Sequence, residues 1–351
     1  MSSSGESIIE SKFARVARER IPTIVNFEPI SVIVPTIGRP QSLFRLLDSL
    51  ASQTVRVQEV VVADSSCGYA TARITGAESW EKTGLVVNRI CVQPAHAVRQ
   101  REAAIAVAKG ALLLLLDDDV ELEPTCVEEM VAGLNANPDV VAVMADLRNQ
   151  PWPGPTRAWR TYLRLVHGLK EGEWQGRVIG PLLRYGYNPV SQESRAIEWL
   201  STCNSLIRRL TFEKSGGFSH FFLHRSTVNE DVDLGLKLRR LGPILFCPKA
   251  RMAHYQDPGG RLSPYHAAED DLFNRFLVLH LTMGCSKRRA FILVLTFFVI
   301  ESGSNMIGVL LRGRLWQAGS LFCGRFSALL RIVRGWRSRD VAATYTNPLS
   351  G

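Results

Sequence analysis

Five consecutive leucines, Leu112–Leu116, run directly into three aspartates, Asp117, Asp118 and Asp119. An unbroken apolar run of this length reads as a strand buried on both faces, as in parallel sheets covered by helices. In open α/β sheets, ligands collect outside the carboxyl ends of the strands. Three carboxylates crowded at such a point repel one another and call for a cation. Hard divalent ions such as Mg²⁺ or Mn²⁺ take oxygen ligands and commonly share them with substrate phosphates. The cluster therefore points to chemistry on a phosphate-bearing substrate. Acids are also favoured at a helix N-terminus, and Pro124 with Glu128 and Glu129 marks a helix starting nearby. The rest of the chain decides between the two readings.

Strand and helix patterns alternate from residue 30 to 145. Strands are expected at 30–34, 59–63, 85–92, 112–116 and 140–145, and helices at 41–52, 101–108 and 125–135. That rhythm is the signature of βαβ units in a mostly parallel, doubly wound sheet flanked by helices. Residues 147–195 break it. They are rich in Trp, Pro, Gly and Arg, including Trp152, Trp159 and Trp174, and read as a long excursion over the active face. A segment at 199–208, the Gly216-Gly217-Phe218 turn, a helix at 230–241 and a strand at 244–247 follow.

The sheet would gather the residues after each strand around one crevice. Pro35, Thr36 and Arg39 follow the first strand, Asp64 the second, and the aspartate triple a central one. Asp64 is placed to accept hydrogen bonds from a base or ribose, and Arg39 or Arg101 to meet phosphate charge. A second acidic cluster, Glu230, Asp231 and Asp233, opens a helix after Asn229. If sugar transfer is the reaction, it needs a carboxylate base for the acceptor hydroxyl and a cation to stabilise a departing diphosphate. Two separate acidic clusters match those two needs.

The 351 residues carry a net charge of +9, and residues 272–340 hold eleven basic against two acidic side chains. The basic excess is therefore regional. Within that region an apolar stretch at 291–300 is bracketed by Arg288, Arg289 and Glu301. It falls short of the roughly 20 apolar residues a bilayer span needs. Basic amphipathic helices of this kind lie in the interface and are drawn to anionic lipid. Peripheral attachment to an anionic membrane surface is expected, with a helical cap packed on the catalytic domain as the plainer reading. Seven scattered cysteines without a CxxC pair fit a reducing compartment. The first residues lack the layout of a signal peptide. The expected location is cytoplasmic, at the inner face of the cell membrane.

Taken in order, several of these pieces resemble family 2 glycosyltransferases of the GT-A fold. They are Val32-Ile33-Val34-Pro35-Thr36, Val60-Val61-Val62-Ala63-Asp64, Arg101, Leu116 to Val120 with its aspartates, Gly216-Gly217-Phe218, Glu230-Asp231 and His254. The resemblance covers about residues 30–256 and implies a GT-A domain over 29–258, after an N-terminal arm (1–28) and before a helical region (259–351). It implies that Pro35, Thr36, Arg39, Asp64, Arg101, Asp117 and Asp118 serve the nucleotide sugar. Asp119 and His254 would hold a divalent metal, Mg²⁺ or Mn²⁺. Asp231, with Glu230, would act in an inverting, single-displacement transfer. Trp199 and Asn204 would line the acceptor side, together with the 147–195 excursion.

Two departures matter. Glu102 and Ala104 stand where members often have Asn and Gly, which leaves Arg99 as a rival to Arg101. No QxxRW motif follows Asp231, which favours transfer of a single sugar over polymer synthesis. The implied partners are a UDP- or dTDP-sugar donor and a glycan or lipid-linked acceptor. A sugar-phosphate nucleotidyltransferase would share the fold, but the loop Thr36-Ile37-Gly38-Arg39-Pro40 has only one glycine. A nucleic-acid-binding protein using the basic tail is the reading of another class. The tail is apolar as well as basic, which suits lipid better, so no nucleic-acid partner is expected.

Overall fold

The structure is a computed structural model that describes residues 28–337, apart from 77–79, 151, 189–191, 224–225, 258–261 and 311–314. Residues 1–27 of the expected arm and the domain boundary expected at 258 lie outside the described residues. Strands β1 (Ile30–Thr36), β2 (Glu59–Asp64), β3 (Val87–Cys91) and β4 (Leu112–Leu116) alternate with helices α1 (Pro40–Ala51), α2 (Tyr69–Thr75) and α3 (Ala97–Val107). Then come β5 (Val120–Leu122), α4 (Cys126–Asn135) and β6 (Ala142–Leu147). The excursion holds α5 (Arg157–His167), a small hairpin of β7 (Val178–Ile179) and β8 (Leu183–Arg184), and β9 (Arg195–Ile197). The chain returns through β10 (Asn204–Arg208), α6 (Arg209–Lys214), α7 (Glu230–Leu238) and β11 (Ile244–His254). It ends in α8 (Pro264–Leu277), α9 (Lys287–Leu310) and α10 (Leu315–Arg334).

The main sheet runs β3-β2-β1-β4-β10-β6-β11-β5, with β9 on the side of β11. Its first four strands are parallel, β10 is antiparallel to both neighbours, and β6 and β11 are again parallel. This is the expected mixed, mostly parallel sheet. Every residue of β1, β2 and β4 is buried, since helices cover both faces and no alternation with polar residues is needed. Burying a leucine side chain of β4 contributes about 1.5–3 kcal/mol.

Two features of this topology build the site. The aspartate triple links the central strand β4 to the distant edge strand β5, which pairs with β11 in the register His254↔Val120. That pairing carries His254 back to the aspartates. The strand expected to end at 247 runs on to His254, with a register shift between Cys247 and Arg251. Pro248 lies in that interval and cannot donate to the ladder, so a bulge forms where the sequence reads as a strand end.

The C-terminal helices pack on the domain through α8, which lies against α10. At Gly324 a Cβ would stand 2.2 Å from the Tyr265 carbonyl oxygen, so glycine permits that approach. Among the described residues no helix is long and apolar enough to cross a membrane.

Candidate active site

Thr36 and Asp64 end adjacent parallel strands in direct register, and the aspartate triple ends the strand on the other side of β1. The expected strand-end residues are therefore neighbours at one edge of the sheet, but their side chains divide the work unevenly. Asp118 is fully enclosed. It accepts a 2.6 Å bond from Thr36 Oγ1 and pairs at 2.9 Å with Arg39. It ties the end of β1 to the end of β4 and shows no free surface. Burial pushes its carboxyl up to about 7, although Arg39 and Thr36 pull the other way.

Asp119 receives the Asp257 backbone N–H at 2.9 Å on Oδ2, where Arg39 Nη1 also approaches to 3.4 Å. Its Oδ1 faces His254 Nε2 at 3.0 Å, yet that buried oxygen receives no well-formed hydrogen bond among the described residues. Burial opposes ionisation of Asp119, but His254, Asp257 and Arg39 outweigh it and hold the carboxyl below its ordinary value. Burial likewise works against a charged His254, and the Asp119 and Cys203 partners outweigh it, raising the imidazole to about 10.

Asp117 turns the other way, toward Arg101, with 30% of its side chain exposed. One ligand atom each from Asp117, Asp119 and His254 lie within 4.8 Å of one another. Two carboxylates and an imidazole are a donor set that fits a divalent cation, which would take the imidazole in its neutral form and displace its proton from the Asp119 pair. Asp117, which the resemblance assigns to the nucleotide side, also belongs to this candidate metal group.

Arg101 joins the two acidic clusters. Its Nη2 donates to Asp117 at 2.6 Å and its Nη1 to Glu230 at 3.1 Å. The guanidinium is buried between these carboxylates and is not presented to solvent as a free phosphate ligand. Arg99, its rival, sends Nε to the Leu223 carbonyl at 3.0 Å. Glu230 also accepts Thr202 Oγ1 at 3.0 Å. Burial and the neighbouring Asp231 raise its carboxyl to about 7, against the pull of Arg101. Asp231 projects from the first turn of α7, 15% exposed, and pairs with Arg184 at 2.8 Å.

Three more of the expected site residues lie buried with partners inside the protein. Asp64 is wholly buried, with Oδ1 taken by Ser66 and Oδ2 by Arg89 at 3.0–3.1 Å. A direct nucleotide contact would require Arg89 or Ser66 to yield. Trp199, expected to stack on an acceptor sugar, is 1% exposed, and its Nε1 donates to the Tyr185 carbonyl at 3.1 Å. Asn204 is likewise enclosed, bonded to the Ala145 carbonyl inside the sheet. Trp199 is buried because α7 lies against its backbone, where a Cβ on Gly235 would stand 2.8 Å from the Trp199 Cα and the Leu200 nitrogen, and Asn204 is buried because β10 is flanked by β4 and β6. Arg89, Arg184 and Thr202 complete the site, and no local pattern marks Arg89 or Arg184 in advance.

The sequence profile described as glycosyl transferase family 2 matches residues 31–214. The chain belongs to this family. The O-antigen biosynthesis protein RfbC of Myxococcus xanthus is 29% identical over 242 residues, which are 66% of this chain and only 18% of RfbC. The N-acetylglucosaminyl-diphospho-decaprenol L-rhamnosyltransferase of Mycobacterium tuberculosis is 23% identical over 68% of this chain and 81% of its own length. Among solved structures, GalNAc-T7 with UDP, GalNAc and Mn²⁺ is similar at TM-score 0.55 and 16% identity, over 80% of this chain and 57% of that one. The mannosyltransferase PcManGT from Pyrobaculum calidifontis, in complex with GDP-Man and Mn²⁺, covers 97% of both chains at TM-score 0.50 and 16% identity. At such identities the shared property is the GT-A fold, which this family 2 chain has.

Proposed function

We propose that this family 2 glycosyltransferase moves a single sugar from a UDP- or dTDP-sugar to a glycan or lipid-linked acceptor, with inversion, in cell-surface polysaccharide or glycolipid synthesis. The observation that carries the reading is the Asp117, Asp119 and His254 group, joined through Arg101 to the Glu230-Asp231 pair. The two similar proteins named for O-antigen biosynthesis and for rhamnosyl transfer to a diphospho-decaprenol acceptor support the acceptor class.

Asp117, Asp119 and His254 would hold the Mg²⁺ or Mn²⁺. Bound there, a divalent cation neutralises charge developing on a diphosphate leaving group. Arg39 contributes further positive charge at the same crevice wall, 24% exposed. Asp231 takes the proton of the acceptor hydroxyl as that oxygen attacks the anomeric carbon from the face opposite the diphosphate. One displacement inverts the configuration. Arg101 holds Asp117 and Glu230 in fixed relation, so the donor end and the acceptor end of the cleft keep their spacing.

The reading extends to the membrane. The outer face of α9 and α10 exposes Ile292, Leu295 and Val299 beside Phe322, Phe326, Leu330 and Val333. Arg288, Arg289 and Arg334 are exposed at one end of this hairpin, where Phe291 meets Trp336 at 5.6 Å. An apolar stripe with a cationic collar suits an anionic lipid surface.

The test is a screen of sugar nucleotides for release of the nucleoside diphosphate, with Mn²⁺ and with a chelator, on the wild-type chain and on Asp231→Asn. A general base contributes about 10²–10⁴-fold, so Asp231→Asn should bind donor normally and lose transfer by that order. Wild-type turnover in Asp231→Asn would remove the base assignment.

A further inference from the structure

The excursion sends one side chain into the acidic cleft that no motif singles out. Arg184 closes β8, and its Nη1 lies 2.8 Å from Oδ1 of Asp231. The same Oδ1 accepts the Val232 backbone N–H at 2.8 Å. Both bonds converge on one carboxylate oxygen, and among the described residues the Asp231 side chain makes no other hydrogen bond. The second oxygen, Oδ2, is thereby left for an incoming hydroxyl.

The aim of Arg184 is built into the fold. In the hairpin turn Leu182 adopts φ 60°, a left-handed conformation unusual for a leucine. That turn is gripped from α8: Arg275 Nη1 donates to the Pro181 carbonyl at 3.1 Å and to the Leu182 carbonyl at 2.6 Å. Arg275 is itself held by Asp271 at 3.0–3.1 Å, and Asp271 accepts the side chain of Asn229, the residue before Glu230. The Arg184 guanidinium lies 5.5 Å from the centre of the Trp199 ring, within the range of a cation–π contact. Trp199 thus serves as a shelf for Arg184. A strained turn, clamped by an arginine from another element and delivering a cation to one carboxylate oxygen, is an arrangement that surrounding structure must hold in place.

We propose that Arg184 is a positioning residue that fixes the Asp231 carboxylate so that Oδ2 faces the acceptor hydroxyl. The inference rests on Asp231 being the base. In the step it supports, the acceptor O–H bond breaks and its proton passes to Oδ2. The oxygen's electron pair forms the new bond to the anomeric carbon. The carbon–oxygen bond to the diphosphate breaks, and that pair leaves with the nucleoside diphosphate. Arg184 neither gives nor takes a proton. It keeps the accepting oxygen on line.

The experiment compares Arg184→Gln, Arg184→Lys and Asp231→Asn in the full chain, following nucleoside diphosphate release from the sugar nucleotide found active with wild type. A misdirected catalytic group costs roughly 10- to 100-fold, so Arg184→Gln should lose that much in kcat with donor KM unchanged. Arg184→Lys should recover a large part of it. A crystal structure of Arg184→Gln should show the Asp231 carboxylate turned away from the Val232 N–H. The inference is overturned if Asp231→Asn is inactive while Arg184→Gln keeps wild-type kcat, or if Asp231 keeps its orientation in that crystal structure. Wild-type turnover in Asp231→Asn would instead overturn the base reading, so the two failures are distinct.

Discussion

Asp118 has no exposed surface and two partners, Thr36 and Arg39, whereas Asp117 is partly exposed and faces Arg101 and Asp119 faces His254. These surroundings predict how stability depends on pH when no metal is bound. Asp118 moves from an ordinary 3.8 up to about 7, and Glu230 from 4.5 up to about 7. Each binds its proton more tightly folded than unfolded, so the folded state loses ground as pH climbs through that interval. His254 moves from 6.5 up to about 10. Its contribution is complete below 6.5 and is lost as pH rises toward 10. All three act in one direction. Asp119 is lowered and loses its contribution only in more acid solution. In a chelator the melting temperature should therefore fall from about pH 5 to about pH 8, and Asp118→Asn should flatten the decline. A melting temperature that rises across that range would contradict these assignments. The acidic residues themselves were legible in the sequence because like charges after a leucine strand are a local pattern. Their partners were not. Arg101 meets Glu230 across 129 positions of sequence, and Arg184 meets Asp231 across 47.

Strands β1, β2, β4 and β6 follow their apolar runs, since a strand covered on both sides needs no alternation, whereas helix α2 had no expectation. Elements set by distant contacts were harder to see. The strand β5 has three residues and exists because β11 pairs with it. The excursion looked irregular, yet it contains α5, whose Trp159 stacks on Phe297 of α9 at 5.8 Å and donates to Glu301 at 2.7 Å. The burial of Trp199 under α7 could not be read from its neighbours in sequence. Gly235 makes that docking testable, because a methyl there would stand 2.8 Å from the Trp199 and Leu200 backbone. Gly235→Ala should destabilise by about 1–3 kcal/mol, the usual cost of overpacking, and should lower transfer by displacing Asp231. Gly303, exposed on α9 with nothing within 4 Å of an added Cβ, is the control. Gly303→Ala should be neutral or stabilising, since alanine is the better helix former. Equal melting temperatures for wild type and Gly235→Ala would show that α7 does not sit directly on that backbone.

At the scale of the whole molecule, the basic C-terminal region is continuous with the catalytic domain. Arg325 is buried near Phe297, and Arg275 stacks on the same ring at 4.0 Å while holding the hairpin that carries Arg184. Part of the basic excess is thus structural, and part remains outside beside the apolar stripe. Phe298 of α9 touches Phe322 of α10 at 5.3 Å, so that stripe is continuous across both helices. Phe322→Asp combined with Phe326→Asp should weaken co-sedimentation with vesicles containing anionic lipid, leaving turnover of a soluble donor unchanged. Unaltered vesicle binding would count against the lipid face. The central claim is that Asp117, Asp119 and His254 hold a divalent ion against a diphosphate, and calorimetric titration of Mn²⁺ in the presence of the active sugar nucleotide tests it most directly. Wild type should bind one Mn²⁺, and Asp119→Asn should bind none at the same concentrations. Equal uptake by wild type and Asp119→Asn, or no uptake by wild type with any sugar nucleotide, would contradict it.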